Sequence, residues 1–406
     1  MSIAHSIAHA WVSTGGEVGD ATGAQNYDEF ADEAEITSII AANPASALAI
    51  EMPHLAAECL GRPFTHCLPE AVARLADAKT TGRLAPADDI VAVYRITGRE
   101  SVSYGLWCMI DTSEISTSVD EPGYVIRNED VFPDKVRERV GLARATGHLL
   151  SPVLLLQTGN GDELHEALTS AVDAAGTATI CDRDQTGRVH EIWLLRAGPT
   201  SARLLELAGT GELVVADGNH RSLAAQTAGL PRFLAVVTTP GSVRIEPYNR
   251  LISELPGPMN EILASLSEAG AIVRRLPGRP LAPAERGTVH LYTRHGAVAV
   301  TLPSNERVDF VENLDHAVVE RLLLHEALGL DPGDKRVGYI GGDYPSAWLC
   351  NEVDAGRAEL AMLVAPVTVE DFVAVNLARR KMPRKSTWFT PKARAGLVIA
   401  DLTAEA

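Results

Sequence analysis

The sequence has few cysteines, and none of them stands in a paired motif. Five occur among 406 residues, widely spaced and without a CxxC pair: Cys59, Cys67, Cys108, Cys181 and Cys350. This spacing excludes a dense disulfide framework and a zinc site built on paired thiolates. A metal site at Cys59, Cys67 and His66 is an alternative, but buried and unreactive thiols in a reducing cytoplasm fit the pattern better.

The sequence also lacks a long apolar stretch and an excess of positive charge. No run reaches ~18 apolar residues, and residues 1–18 have no basic start followed by an apolar core, so we expect a cytoplasmic protein without a membrane span. With 36 Lys plus Arg against 53 Asp plus Glu, the formal net charge is −17. Binding to DNA or to an anionic membrane surface is therefore disfavoured, and an anionic ligand needs a local basic pocket.

The composition allows two or three globular domains, since 46% of the residues are hydrophobic and 22% are charged. The patterning predicts an N-terminal α+β region at 1–120, a central core at 121–255 and a C-terminal α+β domain at 256–406. A turn signal at Glu121-Pro122-Gly123 marks the start of the core. Residues 1–26 have no stable period and are expected to fray or to add one irregular strand.

Apolar periodicity predicts the individual elements. Helices are expected at 30–42, 132–149, 162–175, 222–228, around 259–266 and at 315–328. Strands are expected at 47–51, 91–94, 104–110, 124–126, 153–156, 189–195, 213–216, 233–238, 271–276, 337–340 and 359–364, with a hairpin over 289–302.

The central feature is a strand, a glycine turn, a helix and a second strand in direct succession. The turn is Asp217-Gly218-Asn219-His220-Arg221, and Gly229 ends the helix that follows it. Backbone N–H groups at the start of such a helix can converge on an anion. Neither GxxxxGK[ST] nor GxGxxG after a strand is present, so the chain has no P-loop and no Rossmann site.

The turn carries the groups that a phosphate needs. Gly218 lets the backbone approach closely, Asn219 to Ser222 open the helix with N–H donors, and Arg221 can bind a phosphate with two hydrogen bonds. The pattern equally fits a structural Asx turn in which Arg221 forms a salt bridge with an acidic neighbour.

Pieces of one family's pattern occur in order along nearly the whole chain. They are Asn43-Pro44 with Ser46, Arg127-Asn128-Glu129 before a helix, Ser151-Pro152, the Asp217–Arg221 turn, Tyr248-Asn249-Arg250, and MPRKSTWFTPK at 382–392 followed by Gly396-Leu397-Val398. The chain thereby resembles the domain-of-unknown-function 1015 family, which is related to free serine kinases. The resemblance implies an α+β fold with a ParB/sulfiredoxin-like nucleotide-binding core and additional mixed α/β domains before and after it.

Phosphorylation of an alcohol requires a carboxylate base, a metal ion and cations around the transferred group. Glu129 is the predicted base, because the smaller serine kinases, by resemblance, carry a catalytic glutamate in a similar context. The alternative for Glu129 is a carboxylate that stabilises a helix N-terminus. Asp217, as a ligand of Mg²⁺ or an orienting group, and His220 complete the catalytic candidates.

Further cations are candidates for nucleotide binding. Arg127 could pair with Glu129 or touch phosphate, and Arg250 could either bind the nucleotide or clamp the C-terminal domain. A cationic and hydroxyl cluster is either a local anion site or an exposed basic turn, and its members are Lys385, Ser386, Thr387 and Lys392. The other histidines show no spacing typical of a metal site.

The chain departs from the resembled family at four positions. It has Asn128, Asn219 and Asn249 where the family commonly has histidine, and Ser222 where the family has an aromatic residue. Asparagine forms hydrogen bonds but cannot carry a proton.

The expected function is a small-molecule kinase that moves a phosphoryl group from ATP or ADP to the hydroxyl of free L-serine or a similar amino acid. One alternative is a ParB-like regulatory switch that binds or hydrolyses a nucleotide. A second is an interaction module with a vestigial loop.

Overall fold

The chain forms two compact units in a computed structural model that describes residues 2–15, 22–99, 101–116, 123–304, 309–331 and 333–403. Unit 1 comprises Met1–Arg244 and Pro391–Ala406, and unit 2 comprises Ile245–Thr390. Glu121 and Pro122 of the predicted turn lie outside the described residues. The three-part division of the chain at 120 and 255 stays a prediction.

The helices and strands are numbered along the chain. The helices are α1 (Glu33–Ala42), α2 (Ala47–Glu51), α3 (Leu68–Thr80), α4 (Pro133–Thr146), α5 (Gly161–Ala175), α6 (Pro199–Ala208), α7 (Asn219–Ala228), α8 (Met259–Glu268), α9 (Asp315–Val318), α10 (Ser346–Asp354) and α11 (Val369–Leu377). The strands up to the start of unit 2 are β1 (Ala4–His5), β2 (Ile7–Ser13), β3 (Leu84–Thr97), β4 (Val102–Asp111), β5 (Ile115–Ser116), β6 (Val125–Arg127), β7 (His148–Leu149), β8 (Val153–Gln157), β9 (Ile180–Arg183), β10 (Val189–Arg196), β11 (Leu213–Asp217) and β12 (Arg232–Thr238), and β13 (Arg244–Glu246) runs across the boundary between the units. The remaining strands are β14 (Asn249–Ile252), β15 (Ile272–Leu276), β16 (Thr288–Thr293), β17 (Gly296–Thr301), β18 (Val337–Ile340), β19 (Leu360–Val364), β20 (Trp388–Thr390) and β21 (Val398–Asp401).

Unit 1 is built on one large mixed sheet with the strand order β5-β6-β11-β8-β12-β4-β3-β2-β21-β7. Strand β1 pairs with β4, and β10 pairs with both β3 and β9. Most pairs are antiparallel, but β6 and β11 run parallel, with Arg127 opposite Val215. The residues that follow β6 and β11 therefore leave the sheet at the same edge.

The core of unit 1 explains why the central strands are continuous apolar runs. All five residues of β8 are buried, and so are the first four of β11. On one side, α5 presents Leu164, Leu168 and Val172 to the sheet, at the spacing of a single helix face. Helices thus cover the central part of the sheet, and strands covered in this way have uniformly hydrophobic sequences.

Unit 2 has its own antiparallel sheet, with the order β15-β17-β16-β19-β14-β18. Its core combines Val289 and Leu291 of β16 with Leu266 of α8. Helix α9 continues directly into a π-helix at Val319–Ala327, which adds further leucines to this core. The mixed α and β composition predicted from the sequence is confirmed in both units.

Several predicted elements differ from the structure. Residues 47–51 form helix α2 rather than a strand, with Ser46 at its N-cap and all five residues buried. A short apolar run cannot distinguish a buried strand from a buried helix by its period. The start of the chain forms the regular strands β1 and β2, because β2 finds partners in β3 and β21.

Two predicted helices also end differently. The helix predicted at 132–149 stops at Thr146, because Gly147 takes the left-handed conformation of a helix C-cap. The helix predicted at 315–328 changes from α to π geometry at Val319.

The cysteines are free thiols, and four of the five are buried as expected, but Cys181 is exposed. The described ranges contain no group of three or more His, Cys, Asp or Glu side chains that could hold a metal ion. Among the described residues, no helix is both long enough and apolar enough to cross a membrane.

Candidate functional site

The Asp217–Arg221 turn and the segment that carries Glu129 lie side by side. They follow the parallel strands β11 and β6, and two hydrogen bonds join them. Asn219 Nδ2 donates to Asn128 Oδ1 at 2.5 Å, and the Phe132 backbone N–H donates to His220 Nε2 at 3.1 Å. The structure thus brings the predicted base into the neighbourhood of the predicted phosphate turn.

Two helix N-termini meet at this place. Gly218 is the N-cap of α7 and Phe132 is the N-cap of α4. The Phe132–His220 hydrogen bond joins the N-cap of α4 to the first turn of α7. Because the N-terminus of a helix carries a partial positive charge, the positive ends of the two helices lie close together. Such an arrangement favours an anion.

Gly218 has a conformation that the turn requires. Its φ is +95°, which favours glycine. A Cβ atom at this position would lie 3.1 Å from Arg221 Nε and 3.3 Å from Val153 Cα. The glycine therefore permits both the turn and the close packing of Arg221 beneath it.

Asp217 is held by two cations. Lys392 Nζ donates to its Oδ1 at 2.9 Å, and Arg221 Nη2 forms an ion pair with its Oδ2. The side chains of all three residues are at most 13% exposed. Burial raises the pKa of Asp217, but Lys392 and Arg221 outweigh burial and hold that pKa well below its usual range. Conversely, burial opposes the charged form of Lys392, but Asp217 holds the pKa of the lysine above its usual range.

Arg221 directs its guanidinium into the protein. Besides Asp217, it donates to the Pro152 carbonyl oxygen and, at 3.2 Å, to Asn26 Oδ1. Asp28 Oδ2 lies 3.9 Å away. The salt bridge to an acidic neighbour is thus formed, and a direct contact of Arg221 with phosphate stays a prediction.

Ser222 and Glu129 have different environments. Ser222 is fully buried, and its hydroxyl donates to the Asn219 carbonyl oxygen at 3.0 Å, so its side chain supports the first turn of α7. Glu129 is half-buried in the bend between β6 and α4. Burial lowers the pKa of the nearby Arg127, whose charge the Asp130 carboxylate partly supports.

The structure adds Asn26 and Glu29, which sequence reasoning missed. Glu29 Oε1 accepts hydrogen bonds from Asn26 N at 2.8 Å and Asn26 Nδ2 at 2.9 Å, and the Glu29 residue is only 7% exposed. Burial raises the pKa of Glu29 to about 7, with Lys392 opposing this shift and Asp217 adding to it. Asn26 and Glu29 have the spacing of a capping box, which marks a local helix start and not a site. They reach the site through the fold of the segment before α1.

A second missed group borders Arg221. Arg139 Nη2 donates to the Glu51 carbonyl oxygen at 3.1 Å, and the Ser151 hydroxyl donates to Glu51 Oε1. Burial raises the pKa of Glu51, whereas Arg139 and the Ser151 hydrogen bond lower it. A charged residue at the end of the apolar run 47–50 was a usable signal for Glu51, since charges are rarely fully buried without partners.

The role of Asp217 as a magnesium ligand stays a prediction. Both of its carboxylate oxygens already accept from cations. A divalent ion at Asp217 would compete with Lys392 and Arg221 for the carboxylate.

The remaining predicted residues lie in unit 2. The Arg250 side chain is completely buried, and its guanidinium donates to the backbone carbonyls of Tyr248 and Lys385 and to Glu320 Oε1 at 2.9 Å. Lys385 Nζ lies 5.5 Å from the centre of the Tyr248 ring. Thr387 is half-buried just before β20. These contacts favour a clamp within unit 2 over a nucleotide contact for Arg250.

Asn249, the third position where the resembled family has histidine, also serves unit 2. Its Oδ1 accepts a hydrogen bond from the Val364 backbone N–H at 3.1 Å. The side chain therefore bridges β14 and β19 within one sheet.

Comparison with known proteins gives one family and several solved structures of low similarity. The family model described as "Protein of unknown function (DUF1015)" matches residues 18–317. A free serine kinase in complex with AMP is 14% identical with a TM-score of 0.40, over 70% of this chain and 87% of the other. A conserved hypothetical protein from Pyrococcus furiosus is 14% identical with a TM-score of 0.39, over 72% and 95% of the two chains.

C-terminally truncated SbnI from Staphylococcus aureus is 13% identical with a TM-score of 0.38, over 71% and 84% of the two chains. No curated protein matches this chain in sequence.

Proposed function

This chain belongs to the DUF1015 family, and we propose that it is a small-molecule kinase that transfers a phosphoryl group from ATP or ADP to the hydroxyl of free L-serine or a similar amino acid. One observation carries the proposal. The Asp217–Arg221 turn, the segment with Glu129 and the C-terminal Lys392 meet within unit 1, although they are far apart in the sequence.

In the proposed complex, the nucleotide phosphates lie at the joined N-termini of α4 and α7. The backbone N–H groups at the start of α7 and the two helix dipoles supply the attraction. Lys392, which Asp217 keeps protonated, adds a positive charge. The ParB/sulfiredoxin-like core of the proposal is residues 121–255, in which 215–229 is the nucleotide loop.

The transfer uses Glu129 as the base. Its carboxylate takes the proton of the acceptor hydroxyl while the hydroxyl oxygen forms a bond to the terminal phosphorus. The bond between that phosphorus and the bridging oxygen breaks, and ADP leaves from ATP, or AMP leaves from ADP. Asp217 and Arg221 position the turn, and we assign no protein ligand to the magnesium that accompanies nucleotides.

His220 has a defined place in this proposal. Its Nε2 accepts from the Phe132 N–H, so the proton of the neutral ring is on Nδ1. In the proposal, His220 holds the start of α4 against the first turn of α7, and it stays a candidate for a catalytic role.

A ParB-like nucleotide switch without kinase activity is the second candidate. One observation favours it. The guanidinium of Arg221 donates hydrogen bonds within the protein, to Asp217, Pro152 and Asn26. Nucleotide binding that released Arg221 from these partners would change the packing of the segment before α1.

The test is to incubate the purified protein with ATP or ADP, Mg²⁺ and a panel of amino acids, and to identify phosphorylated products by mass spectrometry. A product that depends on both the nucleotide and the amino acid supports the kinase. Nucleotide binding without such a product favours the switch, and no binding at all contradicts both.

Glu129→Gln tests the base, with Glu166→Gln on the exposed face of α5 as the matched control. General-base catalysis is worth roughly 10²- to 10⁴-fold in rate, so we expect turnover to fall at least ~100-fold with nucleotide affinity retained. Turnover within a few-fold of wild type would show that Glu129 is not the base.

A further inference from the structure

The side chain of Asn26 lies buried between the Asp217–Arg221 turn and the C-terminal segment of unit 1. The residue is 1% exposed. Its Oδ1 accepts a hydrogen bond from Arg221 Nη1 at 3.2 Å, and its Nδ2 donates to the Ala393 carbonyl oxygen at 3.0 Å. One carboxamide thereby joins two segments that lie 195 and 367 residues further along the chain.

The chemistry of the neighbours determines which way the carboxamide points. A guanidinium can only donate hydrogen bonds, so Arg221 faces the amide oxygen, whereas a backbone carbonyl can only accept them, so Ala393 faces the amide nitrogen. The amide nitrogen also donates to Glu29 Oε1 at 2.9 Å, and the backbone N–H of Asn26 donates to the same oxygen at 2.8 Å. The side chain therefore has a single favourable orientation.

These contacts close a ring around the carboxylate of Asp217. Arg221 and Lys392 both form ion pairs with Asp217, and Lys392 directly precedes Ala393 in the chain. The ring runs from Asp217 through Arg221 to Asn26, and through the Ala393 backbone and Lys392 back to Asp217. The neutral amide of Asn26 thus connects the two cations without adding a charge of its own.

We infer that Asn26 is a positioning residue for the phosphates of the bound nucleotide. It acts through the two cations, because it holds Arg221 at the turn and fixes the backbone next to Lys392. The inference rests on the proposed function, which places the phosphates at the start of α7 and gives Lys392 an attractive charge there. Loss of the amide opens the ring, so that the distance between the two cations is less closely fixed.

A second buried hydrogen bond joins the same two segments without reaching the turn. The Thr22 hydroxyl donates to the Gly396 carbonyl oxygen at 3.0 Å, and Thr22 is 2% exposed. Both Thr22 and Asn26 contribute to the packing of the segments, but the amide of Asn26 in addition contacts Arg221. Thr22→Val is therefore the matched control, since it removes a buried hydrogen bond from the same segments and leaves the ring intact.

The experiment measures the affinities of ADP and of inorganic pyrophosphate for the full chain by isothermal titration calorimetry. The variants are Asn26→Ala, Asn26→Ser and Thr22→Val, and thermal unfolding verifies that each one is folded. Serine is as favourable as asparagine before a helix, so Asn26→Ser preserves the start of the 3₁₀ helix at Tyr27–Glu29. Its single hydroxyl cannot replace both the oxygen that faces Arg221 and the nitrogen that faces Ala393.

A hydrogen bond to a charged group corresponds to about ten-fold or more in an equilibrium constant. We expect both substitutions of Asn26 to weaken ADP binding by about ten-fold, and pyrophosphate binding by the same factor, because the residue acts on the phosphates. Thr22→Val should bind both ligands as the wild type does, although it lowers the unfolding temperature. Asn26→Ser keeps the test decisive if Asn26→Ala does not fold.

Five results would overturn the inference. In the first, the Asn26 variants bind both ligands like the wild type. In the second, Thr22→Val weakens binding as much as Asn26→Ala does, so that the packing of the segments alone matters. In the third, Asn26→Ser binds like the wild type while Asn26→Ala does not, which would assign Asn26 to the helix start.

In the fourth, the Asn26 variants lose affinity for ADP alone, which would place the effect away from the phosphates. These four results leave the proposed function intact. In the fifth, the wild type binds neither ADP nor pyrophosphate. The proposed function itself then fails, and the positioning role of Asn26 fails with it.

Discussion

Lys392 Nζ lies 2.9 Å from Asp217 Oδ1, although 175 residues separate the two in the chain. The contact joins the C-terminal segment of unit 1 to the end of β11, and it buries a charge pair beside a second cation, Arg221. The site is thus a network in which one carboxylate organises two basic side chains. Removing one member changes the charge balance of the others.

Lys392→Met should destabilise the protein strongly. Breaking a buried ion pair costs about 3–5 kcal/mol. Because Asp217 keeps Arg221 as a second partner, we expect a loss at the lower end of that range, about 3 kcal/mol. Urea unfolding measures the change, and Lys135→Met is the control, because the Lys135–Glu138 pair is on the surface and worth at most about 1 kcal/mol. Equal effects of the two substitutions would contradict a buried network at Asp217.

Glu29 should make stability fall as the pH rises. The unfolded glutamate ionises near pH 4.3, whereas the pKa in the folded protein is about 7. Between these values the folded protein holds a proton that the unfolded chain has released, so the free energy of unfolding decreases with pH. Above the folded pKa this dependence ends.

Glu29→Gln removes that dependence. Relative to the variant, the wild type should lose roughly 2–3 kcal/mol of stability between pH 5 and pH 8, measured by urea unfolding across the range. Glu206→Gln, at an exposed position on α6, should show no such trend. A difference between wild type and Glu29→Gln that is constant with pH would refute the prediction.

Gly218→Ala should cost more than Gly229→Ala, although the two glycines flank the same helix and both have positive φ. An alanine in the left-handed region costs about 1–2 kcal/mol. At Gly229 a Cβ meets nothing within 4 Å, whereas at Gly218 it meets Arg221 and Val153. We expect an additional loss of ~1 kcal/mol or more at Gly218, read from denaturant midpoints, together with weaker nucleotide binding.

Arg250→Met should destabilise unit 2 without affecting nucleotide affinity in the folded protein. Its guanidinium is buried against the Tyr248 and Lys385 carbonyls and Glu320, so we expect a loss of about 3–5 kcal/mol. Arg286→Met, which removes an exposed partner of Asp371, is the control and should cost under about 1 kcal/mol. A ten-fold loss of ADP affinity with unchanged stability would assign Arg250 to the nucleotide instead.

Much of the central region could be predicted from the sequence, because its signals are local. The apolar run of β11, the glycine at each end of α7 and the run of β12 each specify their own element. The sequence does not predict that Asn219 and Asn128 are in contact. It does show that both positions hold asparagine where the resembled family has histidine. The structure shows that these two substitutions lie in contact.

The rest depended on long-range partners. The strand β2 forms because it pairs with β3 and β21, which a period within residues 7–13 does not reveal. Asn26 and Glu29 enter the site through tertiary packing, and no spacing relates them to Asp217. Arg221 shows the opposite relation between sequence and structure. Its residue type indicates a phosphate contact, but in the fold its side chain points inward and pairs with Asp217.

The discontinuous course of unit 1 has a consequence for biosynthesis. The ribosome delivers all of unit 2 before Pro391, so unit 2 can fold while unit 1 still lacks the strand that lies between β2 and β7. Until β21 emerges, two unpaired strand edges stay open to association with other chains. If translation stalls shortly before residue 391, unit 2 is complete but unit 1 lacks its second segment. Unit 1 then has neither β21 nor Lys392, the partner of Asp217.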